Sequence, residues 1–300
     1  LRLKCKEVFL MGEDIIRRGE GVEFKNLSHF SLAECVCSGQ VFRWQPQGSG
    51  YFGVALGRAV YAEQRGDTLY LTGVGKEDIP AFVRYFDLER DYGAVKKLYA
   101  HDEYLRQGMA YAPGLRVLRQ PPFETLISFI ISANNNVRRI CRIVDAICRR
   151  FGRPLGGGAY DFPTPEALAD GTEEELLSCG AGYRVRYIIQ SARMVAEGFD
   201  LNAVSRMPFE EARRALIVLP GVGQKVADCV ALYGMGFMES FPADVWIRRV
   251  LCAMYGYRGK NDRDMRAFVD ERFGACAGIA QQYLFHYARN HPEVFKNCAE

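Results

Sequence analysis

From about Val22 to Gly73, apolar and polar residues alternate in short runs, among them Tyr51 to Leu56, Ala59 to Glu63 and Thr68 to Leu71, broken by Gly50, Gly57 and Gly66. A period of two turns one face of each run toward a core, and the glycines supply tight turns, so the stretch predicts strands and hairpins of an antiparallel sheet. After Gly75 the spacing changes. Apolar residues recur three and four apart in Glu77 to Phe86, in Tyr92 to Tyr99 and through most of the chain from Phe123 onward, with Gly or Pro between segments. That pattern predicts helices. A strand-rich region followed by a long helical one reads as an α+β protein whose cleft lies where the two regions meet. The division expected is a β-rich region over residues 1–115 and a helical region over 116–300. Apart from a glycine-rich loop at Gly156 to Gly158, no linker, repeat or low-complexity tract interrupts it.

Composition adds little until charge is placed along the chain. The 300 residues are 49% hydrophobic, enough for a sizeable buried interior. The net charge of +3 says little about partners; what counts for nucleic acid is clustering. Arg138, Arg139, Arg142, Arg149, Arg150 and Arg153 form one basic run, and Arg184, Arg186 and Arg193 a second. Each is either a nucleic-acid patch or a solvated helix face. Ten cysteines without an apolar leader read as reduced thiols of an intracellular protein. No apolar run approaches the roughly 18 to 20 residues that cross a bilayer, so no membrane role is expected. Cys35 and Cys37 are too close for a typical zinc pair and are assigned to the sheet or its edge.

The segment richest in chemistry is Leu219-Pro-Gly-Val-Gly-Gln-Lys225-Val-Ala-Asp228-Cys229. Pro220, Gly221 and Gly223 make a tight turn feeding a helix, with backbone N–H groups left free to hold a phosphate, directly or through a bound cation. An ordinary capping turn has the same sequence. Lys225 falls in the first helical turn, where the macrodipole disfavours a cation and favours the neutral, nucleophilic amine. A surface lysine on a phosphate is the competing reading. Asp244 then precedes a second helical pattern, Ile247 to Tyr255. It can cap that helix for about 1 kcal/mol, and a carboxylate so fixed can also stabilise positive charge developing on a sugar.

Hairpin, lysine and aspartate in that order resemble the helix-hairpin-helix DNA glycosylase superfamily, with the motif at about residues 216–232. Other segments resemble its 8-oxoguanine DNA glycosylase branch: Ser38-Gly-Gln-Val-Phe-Arg-Trp44, Leu118-Arg-Gln-Pro-Pro-Phe-Glu124, Ser128 to Ile140 with its triple asparagine, Gly182-Tyr-Arg-Val-Arg-Tyr187, and Ala280-Gln-Gln-Tyr-Leu-Phe285. The resemblance implies a bifunctional glycosylase and lyase acting as a monomer on duplex DNA that contains 8-oxoguanine opposite cytosine. It would work in the cytoplasm or nucleoid of a bacterium or archaeon, or in a eukaryotic nucleus. Lys225 is then the nucleophile and Asp244 its carboxylate partner, and a Schiff base leads to β-elimination. The damaged nucleotide is flipped from the stack into a pocket. There the Gly39 carbonyl would accept the lesion's N7–H, Gln281 would bond its pairing edge, and Phe285 and Cys229 would sandwich the ring. Asn134 would fill the vacated gap and Tyr183 would wedge the duplex. Arg139 and Arg184 would bond the orphaned cytosine, and Gly221 and Gly223 would meet a phosphate. No catalytic metal or organic cofactor is implied, only the cation at the hairpin.

Two positions depart from that pattern: Trp246 stands where many relatives carry a histidine associated with the 5′ phosphate, and Pro121 where an acid is common. Cys252, Cys276 and Cys298 are too dispersed for the iron–sulfur cluster of a related branch. Three other readings compete. A monofunctional alkylation glycosylase would lack the lysine, a non-enzymatic DNA-binding protein would not need Asp244, and a structural protein would use the hairpin only to pack helices.

Overall fold

The structure, a computed structural model, describes residues 14–18 and 21–295; Cys298 lies outside the described residues. Strands β1 (Ile15–Arg18), β2 (Gly21–Phe24), β3 (Trp44–Gln47), β4 (Gly50–Ala55), β5 (Arg58–Arg65) and β6 (Thr68–Thr72) form one antiparallel sheet of order β1-β2-β6-β5-β4-β3. The register follows the predicted alternation: Val22 faces Leu71 and Ala62 faces Leu71 from the other side, all of them buried. Trp44 pairs with Gly53, where a Cβ would stand 2.4 Å from the indole. Only glycine lets that ring lie across the sheet.

Between β2 and β3 the chain is helical, contrary to the alternating reading of this stretch. Helix α1 (Leu32–Cys37) starts at Ser31, whose hydroxyl accepts from Glu34 N, and it buries Leu32, Cys35 and Val36 at i, i+3 and i+4. The cap and that spacing outweigh the β-branched and cysteine content. Cys35 and Cys37 therefore belong to a helix and not to the sheet. Cys35 is enclosed, its thiol pushed up to about 12 by burial, whereas Cys37 is exposed beside the Tyr51 hydroxyl.

The remaining elements are nearly all helical: α2 (Ile79–Tyr85), α3 (Tyr92–Leu98), α4 (Glu103–Tyr111), α5 (Pro122–Ser132), α6 (Val137–Phe151), α7 (Pro165–Ala169), α8 (Glu173–Ser178), α9 (Val185–Ala196), α10 (Leu201–Val204), α11 (Phe209–Ile217), α12 (Gln224–Cys229), α13 (Val245–Tyr255), α14 (Asp262–Arg272) and α15 (Ala277–Asn290). The exception is a small hairpin, β7 (Pro154–Gly156) and β8 (Ala159–Tyr160), turned by three glycines all at positive φ. Pro121 and Pro122 open α5, and the Pro121 carbonyl accepts from both the backbone and the hydroxyl of Thr125. Among the described residues no helix is long and apolar enough to cross a membrane.

Two cores result. One packs the sheet against α1 and α2 around Phe24, Leu69, Phe82 and Phe86. The other, built by the later helices, also takes in Tyr92, Val95, Tyr99, Leu105 and Met109 from α3 and α4. Polar side chains join them. Arg116, 3% exposed, donates to the carbonyls of Ser28, His29, Asp87 and Arg90 and lies over the Tyr92 ring at 4.4 Å. A buried cation is tolerated there because four carbonyls take up its fork of donors.

Candidate active site

The glycine turn between α11 and α12 has the geometry the sequence suggests. Gly221 sits at φ +78°, and a Cβ there would also meet the Tyr187 side chain at 2.7 Å, so both conformation and space demand glycine. Gly223 caps α12 without a side-chain bond and faces open space, while Ser191 Oγ donates to the Pro220 carbonyl at 2.8 Å and ties the turn to α9. The backbone at Gly223 is thus accessible to an anion.

Lys225, in the first turn of α12, reaches into a pocket of about 110 Å³ lined by Gly39, Phe129, Ser132, Cys229, Asp244, Gln281 and Phe285 among others. The sequence therefore named six residues, from four segments of the chain, that the fold brings to one cavity. Lys225 Nζ donates to Ser132 Oγ at 3.0 Å and lies 5.1 Å from the Phe129 ring centroid. Past α12 the chain makes a π turn, Val230–Gly234, which places Tyr233 in near-parallel stacking on Phe129 at 5.3 Å. Such single π turns are common where a helix carries function. The Tyr233 hydroxyl donates to Gln282 Oε1 at 2.7 Å, and Gln281 lies beside it, buried. Burial pushes the Cys229 thiol up to about 12 despite the nearby Lys225 ammonium, so sulfur meets the pocket as a neutral, polarizable wall. Asp244 is the N-cap of α13, its Oδ1 accepting from Ile247 N at 2.8 Å. The cap expected from the sequence is present, and the same side chain lines the pocket.

What positions Gly39 was not legible as function in the sequence. Gly39 itself adopts φ +85°. On one side the Ser38 carbonyl accepts from Gln282 Nε2 at 3.3 Å, and on the other the Gln40 carbonyl accepts from Gln120 Nε2 at 2.8 Å. Gln40 in turn donates to the carbonyls of Cys35 and Arg116 and accepts from Leu118 N. Three buried glutamines from three segments therefore fix the peptide planes flanking Gly39. A glutamine signals nothing by its spacing, and only the tertiary contacts reveal these.

The asparagine turn joins α5 to α6. Asn134 is exposed at φ +50°, a left-handed conformation asparagine tolerates, and Asn136 caps α6 by accepting from Arg139 N. Tyr183 is 62% exposed beside it, and the Arg184 guanidinium stacks on its ring at 4.4 Å. Arg184 is itself buried, donating to the carbonyls of Ala133, Asn134 and Ala181. The fold therefore uses it to brace the asparagine turn, whereas Arg139 is exposed and has no ion pair among the described residues. The basic runs divide in the same way. Arg149, Arg150, Arg153 and Arg186 pair with Asp145, Glu175, Asp161 and Glu173, while Arg138, Arg139 and Arg142, at the end of α6 nearest the pocket, form no ion pair among the described residues.

Trp246 turns away from the pocket. Its ring packs on Phe295 at 4.6 Å, so this side chain fastens the C-terminal turn to α13. Cys252 lies on α13 and Cys276 is buried. No group of three or more metal-ligating side chains occurs among the described residues.

Behind α12 a larger cavity, about 300 Å³, is lined by Lys225, Asp228, Arg248, Asp262 and Arg266 but by neither Gly39, Gln281 nor Asp244. Its wall carries a buried charge cluster: Arg213 bonds Asp228 at 2.8 Å and Asp262 at 2.8 and 3.0 Å. Burial pushes the Asp228 carboxyl up to about 6, and Arg213 restrains that rise. Arg213→Ala leaves two carboxylates facing each other without their cation, and a loss of about 3–5 kcal/mol is expected. Because the folded state then holds a proton on Asp228 more tightly than the unfolded chain, the deficit shrinks as pH falls. Denaturant melts of both proteins at pH 5 and pH 8 check the sign; an equal deficit at both would exclude Asp228 as the cause.

Comparison with known proteins agrees with this geometry. The family model for the 8-oxoguanine DNA glycosylase N-terminal domain matches residues 24–126, and that for the HhH-GPD superfamily base excision DNA repair proteins matches residues 127–273. A probable N-glycosylase/DNA lyase of Methanothermobacter thermautotrophicus is 37% identical over 227 residues, covering 68% of this chain and 71% of that protein. The N-glycosylase/DNA lyase OGG1 of Arabidopsis thaliana is 30% identical over 83% of this chain and 74% of its own. Among solved structures, Clostridium acetobutylicum 8-oxoguanine glycosylase/lyase, in complex with double-stranded DNA containing cytosine opposite 8-oxoG, superposes with a TM-score of 0.89 at 34% identity, covering 93% of this chain and 98% of that one.

Proposed function

The chain belongs to the 8-oxoguanine DNA glycosylase/lyase family of base excision repair enzymes, and from that premise we propose that it removes 8-oxoguanine opposite cytosine and then cuts the strand through a lysine Schiff base. The observation that carries this reading is the convergence of Lys225, Asp244, Gly39, Cys229, Gln281 and Phe285 on one pocket. The Lys225 amine attacks the anomeric carbon, and the base departs with the bonding electrons of the C1′–N9 bond. The Asp244 carboxylate stabilises the charge that spreads over the sugar as that bond breaks. Loss of a proton from nitrogen and opening of the ring give the imine. Removal of a C2′ proton then expels the 3′ phosphate oxygen. The amine and carboxylate suffice for this chemistry, which calls for no metal or organic cofactor.

Selectivity rests on one carbonyl. 8-Oxoguanine carries N7–H where guanine offers a lone pair, so the Gly39 carbonyl bonds the lesion and repels the normal base. The two glutamines holding its flanking carbonyls keep that acceptor from turning aside. Gln281 takes the pairing edge, and Phe285 and Cys229 sandwich the ring. Outside the pocket Asn134 fills the gap, Tyr183 wedges the stack, and a backbone phosphate sits at Gly221 and Gly223, directly or through a cation. Arg139 reads the orphaned cytosine, joined by Arg184 once it exchanges a carbonyl partner. The protein works as a monomer inside the cell.

The test is release of free 8-oxoguanine, with strand scission, from a duplex bearing the lesion opposite each of the four bases. Release without scission would leave a monofunctional enzyme, and release of an alkylated purine instead would move the lesion class. Arg139→Ala is expected to narrow the rate advantage of cytosine by about tenfold, since a good base contact discriminates by about 1–3 kcal/mol. An unchanged ranking would remove Arg139 from the readout.

A further inference from the structure

Arg289 stands one turn beyond Phe285 on α15, exposed to solvent. A Cβ placed on Gly39 would lie 2.9 Å from Arg289 Nη1, 3.4 Å from Phe285 Cε1 and 3.8 Å from Val137 Cγ2. Gly39, Val137 and Phe285 all line the lesion pocket, while Arg289 does not, so its guanidinium lies on the lip. No acid among the described residues forms an ion pair with it. The titratable groups that respond to it are His286, on the same helix, and Cys141, from α6. Burial holds His286 toward its neutral form and keeps the Cys141 thiol protonated, so neither supplies a counter-charge.

An unpaired guanidinium at a pocket mouth presents a planar fork of donors suited to an anion with two adjacent oxygens. A nucleotide that enters base-first leaves its sugar and backbone at that lip, and the only anion it carries is phosphate. We propose that Arg289 is a phosphate-binding residue for the extruded nucleotide, gripping its backbone only when the base is in the pocket. The inference rests on the base-flipping reading above. It separates Arg289 from Arg138, Arg139 and Arg142, which lie along α6 and face the duplex whether or not a base is flipped.

The experiment measures binding of the wild type, Arg289→Ala and Arg289→Lys to two duplexes across 50–200 mM salt. One duplex carries a 2′-fluoro analogue of the 8-oxoguanine nucleotide, which resists cleavage, opposite cytosine; the other is undamaged. Each phosphate contact contributes about −0.9 to the slope of log affinity against log salt. For Arg289→Ala the lesion duplex is expected to bind about tenfold more weakly, as fits loss of a charged hydrogen bond, with a slope shallower by about 0.9. The undamaged duplex is expected to bind as before, and Arg289→Lys is expected to keep the slope. Single-turnover base release at saturating enzyme should stay within about twofold, because the contact serves binding. Equal weakening on both duplexes would make Arg289 ordinary surface charge and overturn the inference, as would an unchanged slope on the lesion duplex. A wild type that does not prefer the lesion duplex would instead overturn the base-flipping reading itself.

Discussion

Lys225→Gln is expected to abolish base release and strand scission together, with turnover falling on the order of 10⁴-fold, the scale seen when a nucleophile is removed from a site that otherwise still binds. Glutamine can still fill the space against Phe129 and bond Ser132 Oγ, so the pocket keeps its shape while losing the only amine that lines it among the described residues. Binding to lesion duplex should therefore change little. Borohydride added during turnover should trap a covalent adduct with the wild type and none with the variant, and an undamaged duplex should give none with either. A variant that still releases the base but no longer cuts the strand would confine Lys225 to the lyase step and hand the first displacement to water activated near Asp244.

For Asp244→Asn the expected result is a loss of about 10²–10³-fold in single-turnover base release with nearly unchanged stability. The reasoning turns on its double role. Asparagine caps a helix about as well as aspartate, so the bond to Ile247 N and the start of α13 survive, and only the charge facing the sugar is lost. Asp244→Ala removes both and should also cost about 1 kcal/mol of stability. Parallel kinetics and thermal melts of the two variants separate charge from cap. If Asn and Ala lose activity in proportion to their loss of stability, Asp244 is a structural cap alone.

These two residues were readable in the chain because their signals are local. A Pro-Gly-Val-Gly turn favours a following helix, a lysine so placed opposes the helix dipole, and an aspartate before an apolar helical pattern is a good cap, while the catalytic roles of the two were what the family resemblance implied. The strands β4, β5 and β6 were legible for the same reason, since a period of two over five to eight residues leaves few alternatives. Local reading failed at α1, where a serine cap and an i, i+3, i+4 apolar spacing are hidden inside six residues flanked by strands. It could not separate the arginines either. Arg184 and Arg139 look alike in sequence, but one is enclosed among three carbonyls and the other faces solvent.

The sequence by itself determined the glycine turn before Lys225, the cap at Asp244 and the order of sheet, helices and hairpin along the chain, because turn, cap and periodicity are properties of neighbours. Only the tertiary structure decided what holds them in register. Gln40, Gln120 and Gln282 fix the peptides around Gly39, Ser132 receives the Lys225 amine, and Arg289 arrives at the pocket's lip from 250 residues beyond Gly39. Each depends on a hydrogen bond or an approach between distant segments. Such a contact has no period and no local preference, and comes into being only when distant segments pack against each other.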